Sequence, residues 1–399
     1  MTPPPFYRQL LAQLSQWLTP KDKRHLDNFS EIVAAILLSG SACLTHWLPF
    51  LSHRTCQARA HLARLQAFLN NDRVDLRGYY ETLLTQSIEA WSGAELALVL
   101  DTTILWEQYC VVALTVAWGG RSVLLSQTVI EHGSATVGAS VYLPVLERGR
   151  SLLPPDSQIT LLADRGFQHQ KLVEWCEQAG WALLVRVKSD LTVDLGQAEV
   201  KTIAELSPPP GEVHLFPAVT VLGGHQAHLA LAHWPDAQQV WSVLSLRAVS
   251  LQTFAQYGQR FGGIEPLFKD WKSAGFDWTR SHLRKTTALS NLLYLLMSAY
   301  LLCLLWAVMA VVQKLHRCFE HHSQRGLSFF QIGRRLIQSL LHQGQHIPEA
   351  QPFPPGFWPQ PACASKRKRQ FLRDRIEFSK VTLFPPRISK TPLVAEALT

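Results

Sequence analysis

The chain has 399 residues, 47% of them hydrophobic and 17% charged, so it can build a sizeable core, and global disorder is excluded. Lys and Arg number 38 against 30 Asp and Glu, and the net charge of +8 suits a polyanion, either nucleic acid or an anionic membrane surface. Seven cysteines without a CxxC pair argue against a disulfide framework and for a reducing compartment.

The first residues, MTPPPFYRQLLAQLSQW, lack a basic stretch followed by an apolar core and do not read as a secretory signal. Residues 1–92 read as helical, with Ser30 as the cap of the helix IVAAILLSG. Arg54, Arg59 and Arg64 give this region a basic face, which is either a solvated helix surface or a DNA-contacting one.

After Gly93 the texture changes. Residues 96–100, LALVL, are a short apolar run expected as a buried strand that ends at Asp101. Residues 109–118 and 122–131 are rich in β-branched residues and flank Gly119-Gly120, the pattern of a hairpin. A helix is expected over 141–150, a strand over 159–163 ending at Asp164, a helix over 168–179 and a strand over 181–187. This order predicts an α/β fold, a mixed sheet with helices on its faces.

Residues 189–250 contain the turn cluster Ser207 to Gly211 and short β-like runs, a β-rich insertion. The helical period returns from 251 through Lys272. Residues 292–312 carry no charge over 21 positions, long enough to span a membrane and equally suited to a helix buried in a core. A further helix over 327–341 leads to a proline-rich linker at 351–362. The tail holds nine basic residues against two acidic ones between Lys366 and Lys390. The division expected is a helical DNA-binding region 1–92, a catalytic core in two parts, 93–188 and 251–345, the insertion 189–250, and the linker and basic tail 346–399.

Asp101 and Asp164 each follow an apolar strand. A carboxylate there is costly unless paired or bound to a metal, and ligands of α/β sheets gather at the carboxyl ends of strands. Carboxylate oxygens suit Mg²⁺, although for either residue alone a turn or capping role is the commoner one. A third element follows in YGQRFGGIEPLFKDWK, which holds Tyr257, Arg260, Glu265 and Lys272.

With VLDTT at Asp101 and ADRGF at Asp164, this stretch resembles the DDE transposases of bacterial insertion sequences, in the branch with the YREK signature (insertion-sequence family four type). The resemblance covers roughly 27–345. It implies an RNase H-like mixed sheet with flanking helices, the β-rich insertion, and helical N- and C-terminal regions. It implies Asp101, Asp164 and Glu265 as catalytic residues and metal ligands for Mg²⁺ (or Mn²⁺), with two ions. Tyr257, Arg260 and Lys272 are implied as contacts to transposon-end DNA. The implied partners are double-stranded DNA, both transposon ends and target, and a second copy in a homodimer on DNA. The implied setting is the cytoplasm and nucleoid, with no membrane, and the apolar run 292–312 becomes a core helix. A catalytically inactive DNA-binding protein of the same fold is the alternative.

One spacing differs. Four residues separate Arg260 from Glu265 where the family places three. Pro266 would clash with the Gly262 carbonyl in a continuous helix, so a break at Gly262-Gly263 is expected, with a fresh helix starting near Glu265.

Overall fold

Helix ends in the N-terminal region follow from local chemistry. The computed structural model describes residues 4–52, 56–197, 199–235, 237–322, 324–366 and 378–385. Helix α1 (Pro5–Trp17) starts on a proline, where the missing N–H costs nothing. Helix α2 (Lys23–Ser39) is capped by Asp22, whose carboxylate accepts from the Arg24 N–H at 2.8 Å, and it closes at Gly40 with φ 62°. The cap therefore lies well ahead of Ser30, which is buried inside the helix. Helices α3 (Leu44–Trp47), α4 (Ala58–Leu69) and α5 (Leu76–Ile88) follow, the last capped by Asp75. Arg64 is not an open basic group: it pairs with the Glu31 carboxylate at 2.8 Å. Arg54 and the tail cations Arg367, Lys368, Arg369, Arg373, Arg375, Arg387 and Lys390 lie outside the described residues.

Strand β1 (Glu95–Leu105) does not stop at Asp101. It continues for four more residues, and Asp101 sits opposite Ala113 of β2 (Tyr109–Trp118). The polar run Asp-Thr-Thr interrupts the apolar pattern, but the ladder to β2 supplies the pairing that hydrophobicity alone does not signal. The turn between them uses Trp106 and Glu107 with φ 52° and 57°. The expected hairpin is present: Gly119 and Gly120, with φ 59° and 77°, join β2 to β3 (Arg121–Glu131).

Next come α6 (Ala139–Arg150), β4 (Gln158–Ala163), α7 (Gln170–Ala179), β5 (Ala182–Arg186), β6 (Thr192–Asp194), β7 (Val200–Thr202) and α8 (Ile203–Leu206). The chain continues through β8 (Glu212–Val221), β9 (His225–Ala232), β10 (Trp241–Ser245), α9 (Gln252–Lys269), α10 (Thr286–Val312), α11 (Phe329–His342) and β11 (Lys380–Leu383). These elements divide into two units, Met1–Gln158 with Arg260–Asp374, and Ile159–Gln259 with Arg375–Thr399.

The first unit holds the antiparallel meander β1–β2–β3 and most of the helices. Helix α10 is apolar all round because it is enclosed all round, by α2, α5, α11 and β3. It is long and apolar enough to cross a membrane, yet its side chains from Leu289 to Ala307 are almost entirely buried in this unit. Gly333 of α11 lets the two helices close up, since a Cβ there would collide with the Cys303 carbonyl. The proline-rich stretch is no free linker. Phe353 stacks on Trp91 at 5.1 Å and lies 4.8 Å from Trp118, and Trp118 donates its indole N–H to the Phe357 carbonyl at 3.2 Å. Residues 351–362 thus form a strap that places Phe353 in the core.

The second unit is a mixed sheet in the order β4–β5–β10–β9–β8–β6–β7. Strands β4 and β5 are parallel, joined through α7, and the others in that path run antiparallel. The insertion is continuous with the core strands here, because β10 pairs directly with β5. Strand β11 returns from the tail and adds in parallel to β8. Both units together make a mixed α/β fold with flanking helices.

Candidate active site

Asp101 projects from the middle of β1, in the first unit. Its Oδ1 accepts from the Thr102 N–H at 2.8 Å, and its Oδ2 accepts from Arg260 Nη2 at 2.7 Å. The two side chains are only 14% and 7% exposed, so this is a charge-assisted contact largely withdrawn from water. Burial and the negative charge of Asp101 push the nearby Cys110 thiol up to about 11.

Arg260 reaches Asp101 from α9, which is one unbroken helix from Gln252 to Lys269 with Pro266 inside it. The expected break at Gly262-Gly263 is absent, and two features explain why. Gly262 is exposed, so the carbonyl that Pro266 cannot bond can be hydrated. Gly263 faces the β2–β3 hairpin, where an added Cβ would meet the Ser122 hydroxyl at 2.7 Å and the Ala117 Cβ at 3.3 Å. The glycine pair serves a close approach to the hairpin and leaves the helix intact.

Continuity has a consequence for Glu265. Five residues of α-helix turn the chain so that Glu265 points about 140° away from Arg260. Arg260 is buried and Glu265 is exposed, as that angle requires. The helix then widens into a π turn, Asp270–Ala274, which carries Lys272. Lys272 is half-buried, and burial lowers its pKa from the ordinary lysine value. Asp270 is buried beside it in sequence and pairs with Arg121 at 2.8 Å, with burial raising its carboxyl pKa above the usual value. Nothing in the sequence marked Arg121 and Asp270 as partners, since they lie 149 positions apart. The pair ties the end of α9 to the start of β3.

Asp164 and Tyr257 belong to the second unit. Strand β4 ends at Ala163, and Asp164 follows directly at the head of the short turn Arg165–Phe167. This is the strand-end placement expected from the sequence. Tyr257 is fully buried, donates its hydroxyl to the Ala163 carbonyl at 3.2 Å and packs edge-on against Trp241. It therefore holds the backbone next to Asp164.

Hard carboxylate oxygens are the right donors for Mg²⁺ or Mn²⁺. The arrangement, however, does not fit an ion: one oxygen of Asp101 is held by a guanidinium, and Glu265 faces away from Arg260. Among the described residues, no group of three or more His, Cys, Asp or Glu is placed to hold a metal.

Residues 114–302 match the family model described as the transposase DDE domain. The matched span takes in Asp164, Tyr257, Arg260, Glu265 and Lys272 and begins after Asp101. No curated protein matches the chain. Among solved structures, the chain is similar to the piggyBac transposase in a cryo-EM synaptic complex with hairpin DNA. The two share 14% identity over 92% of this chain and 82% of that one, with a TM-score of 0.46.

Proposed function

We propose that the chain is a DNA transposase that binds transposon ends, cuts phosphodiester bonds and joins the ends to target DNA. The observation that carries this reading is the match of 114–302 to the transposase DDE domain, because it spans Asp164 and Glu265 in the order the chemistry needs. In this reading Asp101, Asp164 and Glu265 are the catalytic carboxylates and Mg²⁺ or Mn²⁺, as two ions, the cofactor, although the arrangement described above does not itself fit an ion. Arg260 and Lys272 are its DNA contacts and the buried Tyr257 the support behind them, with double-stranded DNA as the partner, a homodimer as the working form, and the cytoplasm and nucleoid as its place.

Each side chain has a physical task in this reading. Lys272 supplies a positive charge to a backbone phosphate, and its half-buried stem limits how far that charge can wander. Arg260 can offer a phosphate two parallel N–H donors once it leaves Asp101. Tyr257 fixes the strand end beside Asp164 through the Ala163 carbonyl.

A second reading, an inactive DNA-binding protein of this fold, is favoured by the ion pair on Asp101 and the outward-facing Glu265. Nicking of duplex DNA that carries the inverted repeats flanking the gene separates the two. The transposase reading expects divalent-ion-dependent nicks at the repeat ends, lost in Asp164→Asn. Specific binding without any nick supports the inactive protein.

A further inference from the structure

The β1–β2 turn is made without glycine. Trp106 and Glu107 both stand in the left-handed region, with φ 52° and 57°, which disfavours residues that carry a Cβ. Such a conformation persists only where the surroundings impose it, and it clusters at functional places. The surroundings here act on Trp106. Its indole N–H donates to the Thr279 carbonyl at 3.1 Å, and the Arg284 guanidinium lies over its ring, 4.9 Å from the centroid. Beside it the buried Tyr109 donates its hydroxyl to the Arg284 carbonyl at 2.5 Å. The turn thus grips both ends of residues 279–284, in the loop that leads into α10. Within that loop Arg280 is engaged by Asp277 at 2.9 Å. Arg284 and Lys285 are exposed, and among the described residues neither forms an ion pair. The large apolar residues of the loop, Phe276, Trp278 and Leu283, are buried, so its surface is cationic and offers nothing to sink into a bilayer.

We propose that residues 279–285 form a phosphate-binding loop for duplex DNA, in which Arg284 and Lys285 each contact a backbone phosphate and Trp106 positions Arg284. A guanidinium can stack on an aromatic face and still donate from its edge to a phosphate, so the indole holds the cation without neutralising it. Five residue steps separate Asp101 from Trp106, roughly 17 Å at the rise of a strand. The loop therefore anchors DNA to one side of Asp101 and not at it. The left-handed turn is the cost of bringing the Trp106 ring under Arg284. This inference deepens the transposase reading and rests on it in taking DNA as the partner.

The test is binding of the full chain to a labelled duplex of random sequence, followed by fluorescence anisotropy over a series of salt concentrations. Replacing Arg284 and Lys285 together by Gln should lower the salt slope by about 1.8, so that the parent's advantage shrinks about twelvefold between about 50 and 200 mM salt. Trp106→Leu removes no charge, yet it should lower the slope by up to about 0.9, because Arg284 is no longer held in place. In an Arg284→Gln background Trp106→Leu should add nothing further, and Trp106→Phe, which keeps an aromatic face under Arg284, should restore most of the loss. The exposed Gln pair keeps the test decisive if Trp106→Leu fails to fold. An unchanged slope in the Gln pair, no effect of a folded Trp106→Leu, or a Trp106→Leu loss that persists in the Arg284→Gln background would overturn the proposal. So would a Gln pair that keeps duplex binding but loses binding to phosphatidylserine vesicles, which would turn the loop toward a membrane. Nicking of flanking-repeat DNA is read separately. Nicking by the parent with an unchanged slope in the Gln pair defeats the loop alone, whereas the expected slope changes without nicking uphold the loop and defeat the transposase reading alone.

Discussion

A methyl group at position 263 would lie 2.7 Å from the Ser122 hydroxyl and 3.3 Å from the Ala117 Cβ. Gly263→Ala should therefore push α9 off the hairpin and cost about 1–3 kcal/mol, read as a lower urea midpoint. Deleting Gly263 restores the family spacing between Arg260 and Glu265, yet it also rotates everything after it by about 100°. Ile264 and Leu267 are fully buried and Asp270 is paired to Arg121, so that rotation takes three settled side chains out of place. The deletion should unfold this end of the first unit; a deletion variant that melts like the parent would show that the helix phase is free to adjust. The same residues explain what the sequence could not disclose. Gly262-Gly263-Ile-Glu-Pro266 reads as a helix break by local chemistry, and only the distant hairpin reveals that the glycines serve close packing. Asp101 was legible as a candidate because a carboxylate follows an apolar run. Its ion pair with Arg260 was not, because the two residues lie 159 positions apart.

Among the elements, the pairing of α2 with α4 turns on Glu31. Burial works to raise its carboxyl pKa, but hydrogen bonds from Ser52 and the Arg64 guanidinium outweigh burial and hold it below the ordinary value. A carboxyl depressed by folding contributes stability that is present above its unfolded pKa and is lost as pH falls through its folded pKa. Glu31→Gln should lower stability at neutral pH by about 2 kcal/mol, and the difference from the parent should shrink as the medium is acidified below the unfolded carboxylate range. Urea midpoints across that range check it; a constant difference at every pH would mean that the charge is not what Glu31 contributes. Elements with strong local signals were legible. The β2–β3 hairpin follows from two glycines between β-branched runs, and α10 from an uninterrupted apolar stretch. The second half of β1 and the strap at 351–362 were not, because polar residues and prolines there read as chain that does not pack, and their partners are far away in sequence.

For the whole molecule, the positive charge that sets it apart is concentrated in the tail, but the tail is more than a charged arm. Lys380–Leu383 forms β11 on β8, and Phe384 stacks on Phe216 at 4.5 Å. Truncation at Ser365 would remove that strand together with the charge, so the cleaner change is Gln at Lys366, Arg367, Lys368 and Arg369. Binding to repeat-bearing and random DNA should then weaken about equally, and the salt slope should fall by roughly 0.9 for each phosphate that is no longer neutralised. A weakening confined to repeat-bearing DNA would instead make these residues readers of sequence. The central claim is that this fold cuts DNA with carboxylates that include Asp164, and it meets its most direct test in nicking of the flanking-repeat duplex by the parent and by Asp164→Asn. The account predicts divalent-ion-dependent nicks at the repeat ends by the parent, and a variant that binds the same DNA without cutting it. Undiminished nicking by folded Asp164→Asn would contradict it.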